Sequence, residues 1–236
     1  MNSASIAPVQ QIMLPGSQRI GVVLRRSKRA RRMSLRVSRL KGLVTLSLPI
    51  SCPMAQAEKF VFEKESWIRA HLADLPPTAE AMFGGTFLYQ GQLLTICPGH
   101  GRQVRAIGEE LLVPGPEAMV GARVKAFLKL QARMRLQEAT ERYAVALGKP
   151  YGRLTLRDTT SRWGSCSTQG NINYSWRLIM APPEVLNYVA AHEVAHLAEM
   201  NHSARFWAVV ERLFPNHAEQ RAWLREHGED LHRYLF

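Results

Sequence analysis

The sequence lacks long hydrophobic runs and contains few cysteines. No apolar stretch among its 236 residues approaches the ~20 residues that a membrane-spanning helix requires. Cys52, Cys97 and Cys166 are widely spaced and odd in number, which argues against a disulfide framework and against paired zinc-binding cysteines. We therefore expect a cytoplasmic protein with no membrane partner.

Two sequence signals are also missing. The opening residues MNSASIAPVQQIMLPG lack a charged start, and Pro8 and Pro15 interrupt their apolar positions, which is not the pattern of a secretory signal. We expect residues 1–17 to form a flexible lead-in. A glycine-rich Walker sequence, whose backbone would bind phosphate groups, is absent as well.

The chain carries an excess of positive charge. Its formal net charge is +12, and much of the excess lies in residues 25–41. Such a cluster attracts phosphate-bearing partners, either nucleic acids or nucleotides, although it also fits a solvated pair of strands. No aromatic side chain alternates with these cations, so a base-stacking surface is not expected. The basic residues are Arg25, Arg26, Lys28, Arg29, Arg31, Arg32, Arg36, Arg39 and Lys41.

The first half of the chain has the pattern of a small β-rich domain. Apolar residues alternate with polar ones between about 18 and 50, which indicates strands. Helical spacing over residues 53–75 predicts one helix, and residues 81–114 return to short strands broken by glycine and proline. We expect residues 18–115 to form an N-terminal β-rich domain with one helix.

The second half is predominantly helical. A long helical pattern begins at residue 117 and ends just before Gly148 and Pro150. The stretch RLTLRD then predicts a strand, and SRWGSCS and NINYSW predict a β-hairpin joined by a short turn. We expect residues 116–236 to be a second domain with helices packed on a small antiparallel sheet. The expected fold class is therefore α+β.

The stretch AHEVAHLAEMNHSARFW places ionisable groups in an apolar setting. On a helix over residues 183–199, His192 and His196 lie one turn apart and point the same way, which suits two ligands of one zinc ion. Glu193 points ~100° away in projection and can serve as a general base for a water at the metal. This is the HExxH pattern. The alternative is that both histidines are core residues with other partners.

A catalytic zinc needs a third protein ligand, and the sequence offers two candidates. Glu199 lies one turn past His196 on the same predicted helix face. His202 lies beyond the helix end and can approach the metal from a different direction, so we prefer it. Glu199 would then orient a ligand histidine or remain a carboxylate at the helix end. Three further histidines stand among polar residues and are predicted to lie on the surface: His217, His227 and His232.

The combination of HEVAHLAEMNHSARFW with the upstream SRWGSCSTQGNINYSWRLIMAP resembles the YgjP-like zinc metallohydrolases, relatives of the SprT-like and WLM metallopeptidases. The resemblance extends over nearly the whole chain after about residue 18. It implies a zincin-type metallopeptidase domain at the C-terminus. It also implies one zinc ion on His192, His196 and His202, with Glu193 as catalytic base.

The function that we expect is zinc-dependent hydrolysis of peptide bonds in a peptide or protein substrate. In zincins an edge strand lines the cleft and pairs with an extended peptide, and the SRWGSCS–NINYSW hairpin is our candidate for that strand. Arg162 and Tyr174 can donate hydrogen bonds to the developing oxyanion. Trp163 is a candidate substrate contact or a core residue.

Three other functions remain open at this point. The resemblance permits a zinc-dependent nucleoside-triphosphate pyrophosphatase, since some YgjP-like proteins are catalogued as such. It also permits a nucleic-acid-associated protease like the SprT-like relatives, with residues 25–41 bound to the duplex backbone. The last is a binding module with a structural zinc, against which the intact Glu193 argues.

Overall fold

The computed structural model describes residues 10–16, 19–38, 42–75 and 78–236. The chain divides into two compact units, with the division between Pro77 and Thr78. Both units combine helices with small sheets, so the expected α+β fold class is confirmed.

In the first unit a sheet with the strand order β1-β2-β4-β3 packs on two helices. Strand β2 pairs in parallel with β4 and antiparallel with β1, and β3 pairs antiparallel with β4. Alternate residues of β2 and β4 are buried, which explains their period-two pattern. The elements are β1 (Gln11–Leu14), β2 (Ile20–Ser27), β3 (Ser34–Val37), β4 (Val44–Pro49), α1 (Met54–Glu63) and α2 (Glu65–Ala73).

Two expectations for this unit are wrong. Part of the predicted lead-in, residues 1–17, is strand β1, because Ile12 and Leu14 are buried in the core of the first unit; residues 1–9 and 17 lie outside the described residues. The one predicted helix is two, since Lys64 has φ −100° and ψ 8°, which interrupts the helical geometry. Two of the cations in the basic segment, Arg39 and Lys41, also lie outside the described residues.

The second unit begins with a strand pair and a four-stranded sheet of order β6-β7-β9-β8. The long helix α3 follows, and Gly148 ends it with the left-handed φ of 70° that glycine adopts without strain. The elements to that point are β5 (Ala79–Glu80), β6 (Thr86–Tyr89), β7 (Gln92–Gly99), β8 (Arg105–Ile107), β9 (Glu110–Pro114) and α3 (Val120–Leu147).

The rest of the second unit carries the residues of the HExxH stretch. The predicted strand and hairpin are present as a three-stranded sheet of order β10-β12-β11. The C-terminal strand β13 pairs in parallel with β5. The elements are β10 (Leu154–Arg157), β11 (Gly164–Cys166), β12 (Ile172–Ser175), α4 (Pro183–Ala195), α5 (Ala204–Leu213), α6 (His217–His227) and β13 (Tyr234–Leu235).

The structure differs from the predicted division between residues 18–115 and 116–236. Phe87, Leu94 and Leu111 of the four-stranded sheet are buried in the same core as residues of α3 and α4. That sheet therefore belongs with the C-terminal helices. The sheet at the hairpin is also mixed rather than antiparallel, because β10 joins the free side of β12 in parallel while β11 pairs antiparallel with it.

Within the described residues, no helix combines the length and the apolar content that crossing a membrane requires.

Candidate metal centre

Helix α4 positions the first two histidines. Pro183 stands at its first turn, where the missing N–H costs nothing, and nearly every side chain from Val185 to Ala195 is buried. The helix ends at Ala195 rather than at residue 199, and His196 is its C-cap. His192 therefore belongs to the last turn of α4, and His196 lies at the end of that turn.

His192, His196 and His202 come together at the end of α4. Their metal-binding nitrogens all lie within 4.8 Å of one another. The Nε2 atoms of His192 and His202 are 3.1 Å apart. Two nitrogens at Zn–N distances of ~2.0–2.1 Å in a tetrahedral arrangement are about 3.3–3.4 Å apart. The three imidazoles therefore fit one metal ion.

Glu199 contributes to this centre through its backbone. Because α4 ends at Ala195, the Glu199 side chain does not continue the helix face of His196. Instead, Nδ1 of His196 donates a hydrogen bond to the Glu199 carbonyl oxygen at 3.1 Å. This bond fixes the ring and leaves Nε2 of His196 available to a metal, the arrangement that is usual for metal-bound histidines.

Helix α5 holds His202 in place. Ser203 is the N-cap of α5, and its side chain accepts a hydrogen bond from the Phe206 N–H. Phe206 is fully buried, and its ring centre lies 4.5 Å from that of His196 and 4.7 Å from that of His202. Trp207 stacks on His202 at 6.0 Å. The aromatic residues of α5 thus form a wall against which the histidines are packed.

The electrostatics of the cluster favour neutral imidazoles, which is the form that binds metal. The pKa of His192 is lowered to about 3, because burial disfavours its charged form and the neighbouring His196 and His202 repel a second positive charge. Burial also lowers the pKa of His196. His192 and His196 are therefore ready to accept a cation without first losing a proton at neutral pH.

Glu193 is buried beside the cluster with incomplete hydrogen bonding. It is 5% exposed, and its Oε2 atom is buried without a hydrogen-bond partner among the described residues. Burial raises the pKa of Glu193 to about 8, and the positive charge of Arg162 partly opposes that shift. A buried carboxylate is stable only when it is paired, and a metal with its water would supply the missing partners.

Gly164 of β11 lies directly against this carboxylate. A Cβ atom at position 164 would lie 2.4 Å from Oε1 of Glu193, closer than any non-bonded contact allows. A glycine within a strand often marks such a close approach. Gly164 lies inside the predicted strand SRWGSCS, so its position was a usable signal, although it is not among the predicted site residues.

Strand β11 presents an open edge next to Glu193. In the sheet order β10-β12-β11, strand β11 lies at an edge. None of the strands that the structure describes pairs with its outer side. Ser175 donates its N–H to Trp163, and Ser167 donates to Asn171. Because backbone groups of an antiparallel strand alternate in direction, those of Gly164 and Cys166 point away from β12. They are free to pair with an extended chain.

The structure places the three predicted substrate residues differently. Tyr174 is 1% exposed, and its hydroxyl lies 3.0 Å from that of buried Thr140, so the hydroxyl is engaged inside the core. Trp163 is half-buried beside His232, with ring centres 5.2 Å apart. Arg162 is exposed and close enough to Glu193 to affect its pKa.

Of the histidines predicted on the surface, His232 is buried and His217 is half-buried. His232 is 6% exposed, and burial lowers its pKa to about 4. His217 is stacked between Trp207 at 5.2 Å and Tyr188 at 6.3 Å, and its Nδ1 lies 2.7 Å from Glu211. Their polar sequence neighbours concealed these positions, because the partners come from distant parts of the chain.

The residues of this centre lie in a range that matches a known protein family. A sequence model of the YgjP-like family, described as a metallopeptidase domain, matches residues 31–227. The crystal structure of the metallopeptidase zymogen of Pyrococcus abyssi abylysin aligns with 43% of this chain and 99% of its own, at 24% sequence identity and a TM-score of 0.36. No curated protein sequence matches the chain significantly. The range matched by the family contains the three histidines, Glu193 and the β11–β12 hairpin.

Proposed function

The chain belongs to the YgjP-like family of metallopeptidase domains, and from that premise we propose that it hydrolyses peptide bonds with one zinc ion held by His192, His196 and His202. The observation that carries the proposal is the convergence of the three imidazoles within 4.8 Å. Neutral nitrogen ligands and a set of three are typical of catalytic zinc sites, which keep the fourth position for water or substrate.

Glu193 is the general base of the proposed reaction. A zinc ion held by the three histidines would supply a Lewis acid, which would lower the pKa of a bound water toward ~7 and polarise the substrate carbonyl. Glu193 then accepts the proton of the attacking water and returns it to the nitrogen of the leaving amine. Its burial supports this role, because burial raises the pKa of Glu193. A carboxylate with a raised pKa is a stronger base toward the water and can then act as the acid that protonates the leaving amine.

The substrate would bind as an added strand. An extended peptide can pair with the backbone groups of Gly164 and Cys166 along the open edge of β11. This places a peptide bond beside Glu193, which touches Gly164 from the helix side. Cys166 itself is not nucleophilic there, since burial and the charge of Glu193 raise the pKa of its thiol to about 11.

The proposal is tested with the purified full-length chain, a peptide library and a nucleoside triphosphate as substrates. We expect the chain to contain one zinc per molecule and to cleave peptides, and we expect a chelator to abolish the cleavage. Glu193→Gln keeps the shape of the side chain and removes the base, so it should retain zinc and lower kcat by about 10²-fold or more. Cleavage of the triphosphate alone, lost in the same variant, would favour the pyrophosphatase alternative.

A nucleic-acid partner is supported by the first unit. The described cations from Arg25 to Arg36 are all exposed. Arg26 donates to the carbonyl oxygens of Ile50 and Cys52 at 2.8 Å, so one of these side chains holds the fold. We propose that Arg25, Lys28, Arg29, Arg31 and Arg32 contact phosphate groups of a nucleic acid, as in a protease that acts near DNA.

A further inference from the structure

A cavity of about 280 Å³ lies on the face of the β10-β12-β11 sheet that is opposite Glu193. Ser165 pairs with Asn173 and Arg157 pairs with Ser175. Because side chains alternate along a strand, Ser165, Asn173 and Arg157 share this face. The Tyr174 side chain and the hydrogen of Gly164 that replaces a side chain face the other side. The polar lining consists of Arg157, Thr159, Arg162, Ser165 and Asn173, with Trp163 as the aromatic wall.

The cavity contains two arginines that form no ion pair with any described residue, although the charge of Arg162 acts on Glu193. Neither Arg157 nor Arg162 forms an ion pair with a residue that the structure describes. The neighbouring Asp158 is engaged with Arg177 at 2.7 Å, so it cannot neutralise them. The loop between β10 and β11 is also held in shape, since Thr159 donates to the Arg162 carbonyl oxygen at 2.9 Å.

The cavity adjoins the candidate reaction site. Gly164 lines the cavity and also touches Glu193. A peptide paired with the edge of β11 would direct alternate side chains to the two faces of the sheet. Those on the Ser165 face would point toward the cavity, whose lining includes Arg157 and Arg162.

We propose that this cavity is a substrate subsite that binds a carboxylate of the peptide through Arg157 and Arg162. The proposal rests on the proposed peptidase function. Guanidinium groups match carboxylates geometrically and make charge-assisted hydrogen bonds, and the hydroxyl of Ser165 and the amide of Asn173 add neutral donors. The carboxylate belongs either to an aspartate or glutamate side chain or to the C-terminus of the substrate.

The test compares peptides that differ in one charge. One series carries Glu or Gln at each position in turn, and a second carries a free or an amidated C-terminus. We expect kcat/KM to be about tenfold higher for the acidic member of a pair at one position. The Glu/Gln series and the C-terminal series distinguish the two sources of the carboxylate.

Two substitutions in the full-length chain assign the effect to the cavity. The preference ratio is kcat/KM for the acidic peptide divided by kcat/KM for its neutral partner. Arg157→Gln should reduce this ratio to about one. Arg153→Gln, at an exposed arginine just before β10 and outside the cavity, should leave the ratio unchanged. Thermal unfolding followed by circular dichroism checks that both variants are folded. A preference that survives Arg157→Gln, or the absence of any acidic preference in the wild-type chain, overturns the subsite.

A binding measurement separates this proposal from the proposed function. Fluorescence polarisation with labelled peptides and the Glu193→Gln chain gives Kd without turnover. If the wild-type chain cleaves no peptide, the peptidase proposal fails. Tighter binding of the acidic peptide, lost with Arg157→Gln, would then still support the subsite, whereas equal or no binding would overturn it.

Discussion

At the scale of single residues, the candidate site depends on one contact between a carboxylate and a residue without a side chain. Glu193 is buried, and its carboxylate occupies the space that a Cβ atom of residue 164 would need. The carboxylate can occupy this position only because residue 164 of β11 has no side chain. Position 164 is therefore a steric requirement of the base and not of the strand, since any residue can adopt strand geometry.

Gly164→Ala should displace the carboxylate while leaving the metal ligands intact. The new Cβ would lie 2.4 Å from Oε1 of Glu193, and a displacement of about 1 Å at a catalytic group can cost about 10²-fold in rate. We expect kcat/KM to fall by that order with zinc content unchanged, measured by peptide hydrolysis and elemental analysis. Ser34→Ala, at an exposed strand position in the first unit, is the control. Full activity in Gly164→Ala would show that Glu193 is not the base.

The third ligand can be assigned with two alanine substitutions. His202→Ala removes a ring nitrogen from the cluster and should lower zinc occupancy to a small fraction of the wild-type value. Glu199→Ala should retain the metal, because alanine has the same carbonyl oxygen that accepts the hydrogen bond from His196. Elemental analysis after dialysis measures both. Zinc lost from Glu199→Ala and kept by His202→Ala would reverse the assignment.

At the scale of elements, the C-terminal segment and the loop before β11 are joined by one buried side chain. Arg177, in the turn after β12, is 9% exposed. It donates to Asp158 at 2.7 Å and to the carbonyl oxygens of Leu231 and Tyr234 at 2.9 and 3.2 Å. This connection fixes the start of the loop that carries Arg162.

Asp158→Asn should reveal this connection as a pH-dependent contribution to stability. Burial alone would raise the pKa of Asp158, but the hydrogen bond and charge of Arg177 outweigh it, so the folded-state pKa lies below its ordinary value. The stabilisation is therefore complete above the ordinary aspartate pKa of ~3.9 and is lost as the pH falls through the lower folded value. At neutral pH we expect the variant to lose about 1–3 kcal/mol.

Urea unfolding between pH 7 and pH 3 measures the difference between wild type and variant. The difference should be constant near neutrality and should shrink at the acidic end. Glu184→Gln, an exposed carboxylate with no contact to Arg177, serves as the control. A difference that grows with falling pH would contradict the lowered pKa.

The end of α4 shows which part of an element a sequence pattern can predict. Its apolar positions and the proline pair before it were sufficient to predict a buried helix that carries His192. Its last residue was not predictable, because LAEM continues the helical pattern while the chain turns to bring His202 back to His196. That turn is stabilised by Phe206 and by the carbonyl of Glu199, contacts that periodicity does not contain.

At the scale of the whole molecule, sequence patterns predicted the kinds of element but not their grouping. The long helix α3, the hairpin and the histidine motif have strong local signals. The sequences of β6 to β9 would show the same strand pattern whichever core they joined. Only the burial of Phe87, Leu94 and Leu111 against C-terminal residues assigns these strands to the second unit. Long-range packing of this kind has no local signature, which is why the predicted boundary at 115–116 differs from the observed one.

This grouping leads to a prediction for the isolated second unit. Residues 78–236 contain the complete core that includes α3 and α4, and they contain the three histidines and Glu193. We expect this fragment to fold alone, to bind one zinc ion and to cleave peptides, as measured by circular dichroism, elemental analysis and the peptide assay. A fragment that is unfolded with and without zinc would show that the first unit is needed for the second.

The same fragment should lose any affinity for nucleic acid, because it lacks the exposed cations of the first unit. In the full-length chain, each phosphate contact adds about 0.9 to the slope of log K against log salt concentration. Replacing Arg29, Arg31 and Arg32 with glutamine should therefore lower that slope by about 2–3, measured by fluorescence anisotropy with a DNA duplex between 50 and 200 mM salt. Equal substitutions at Arg102, Arg105 and Arg205, which are exposed in the second unit, control for net charge. If both sets lower the slope equally, binding follows the overall charge of the molecule, and the basic strands of the first unit have no particular role in it.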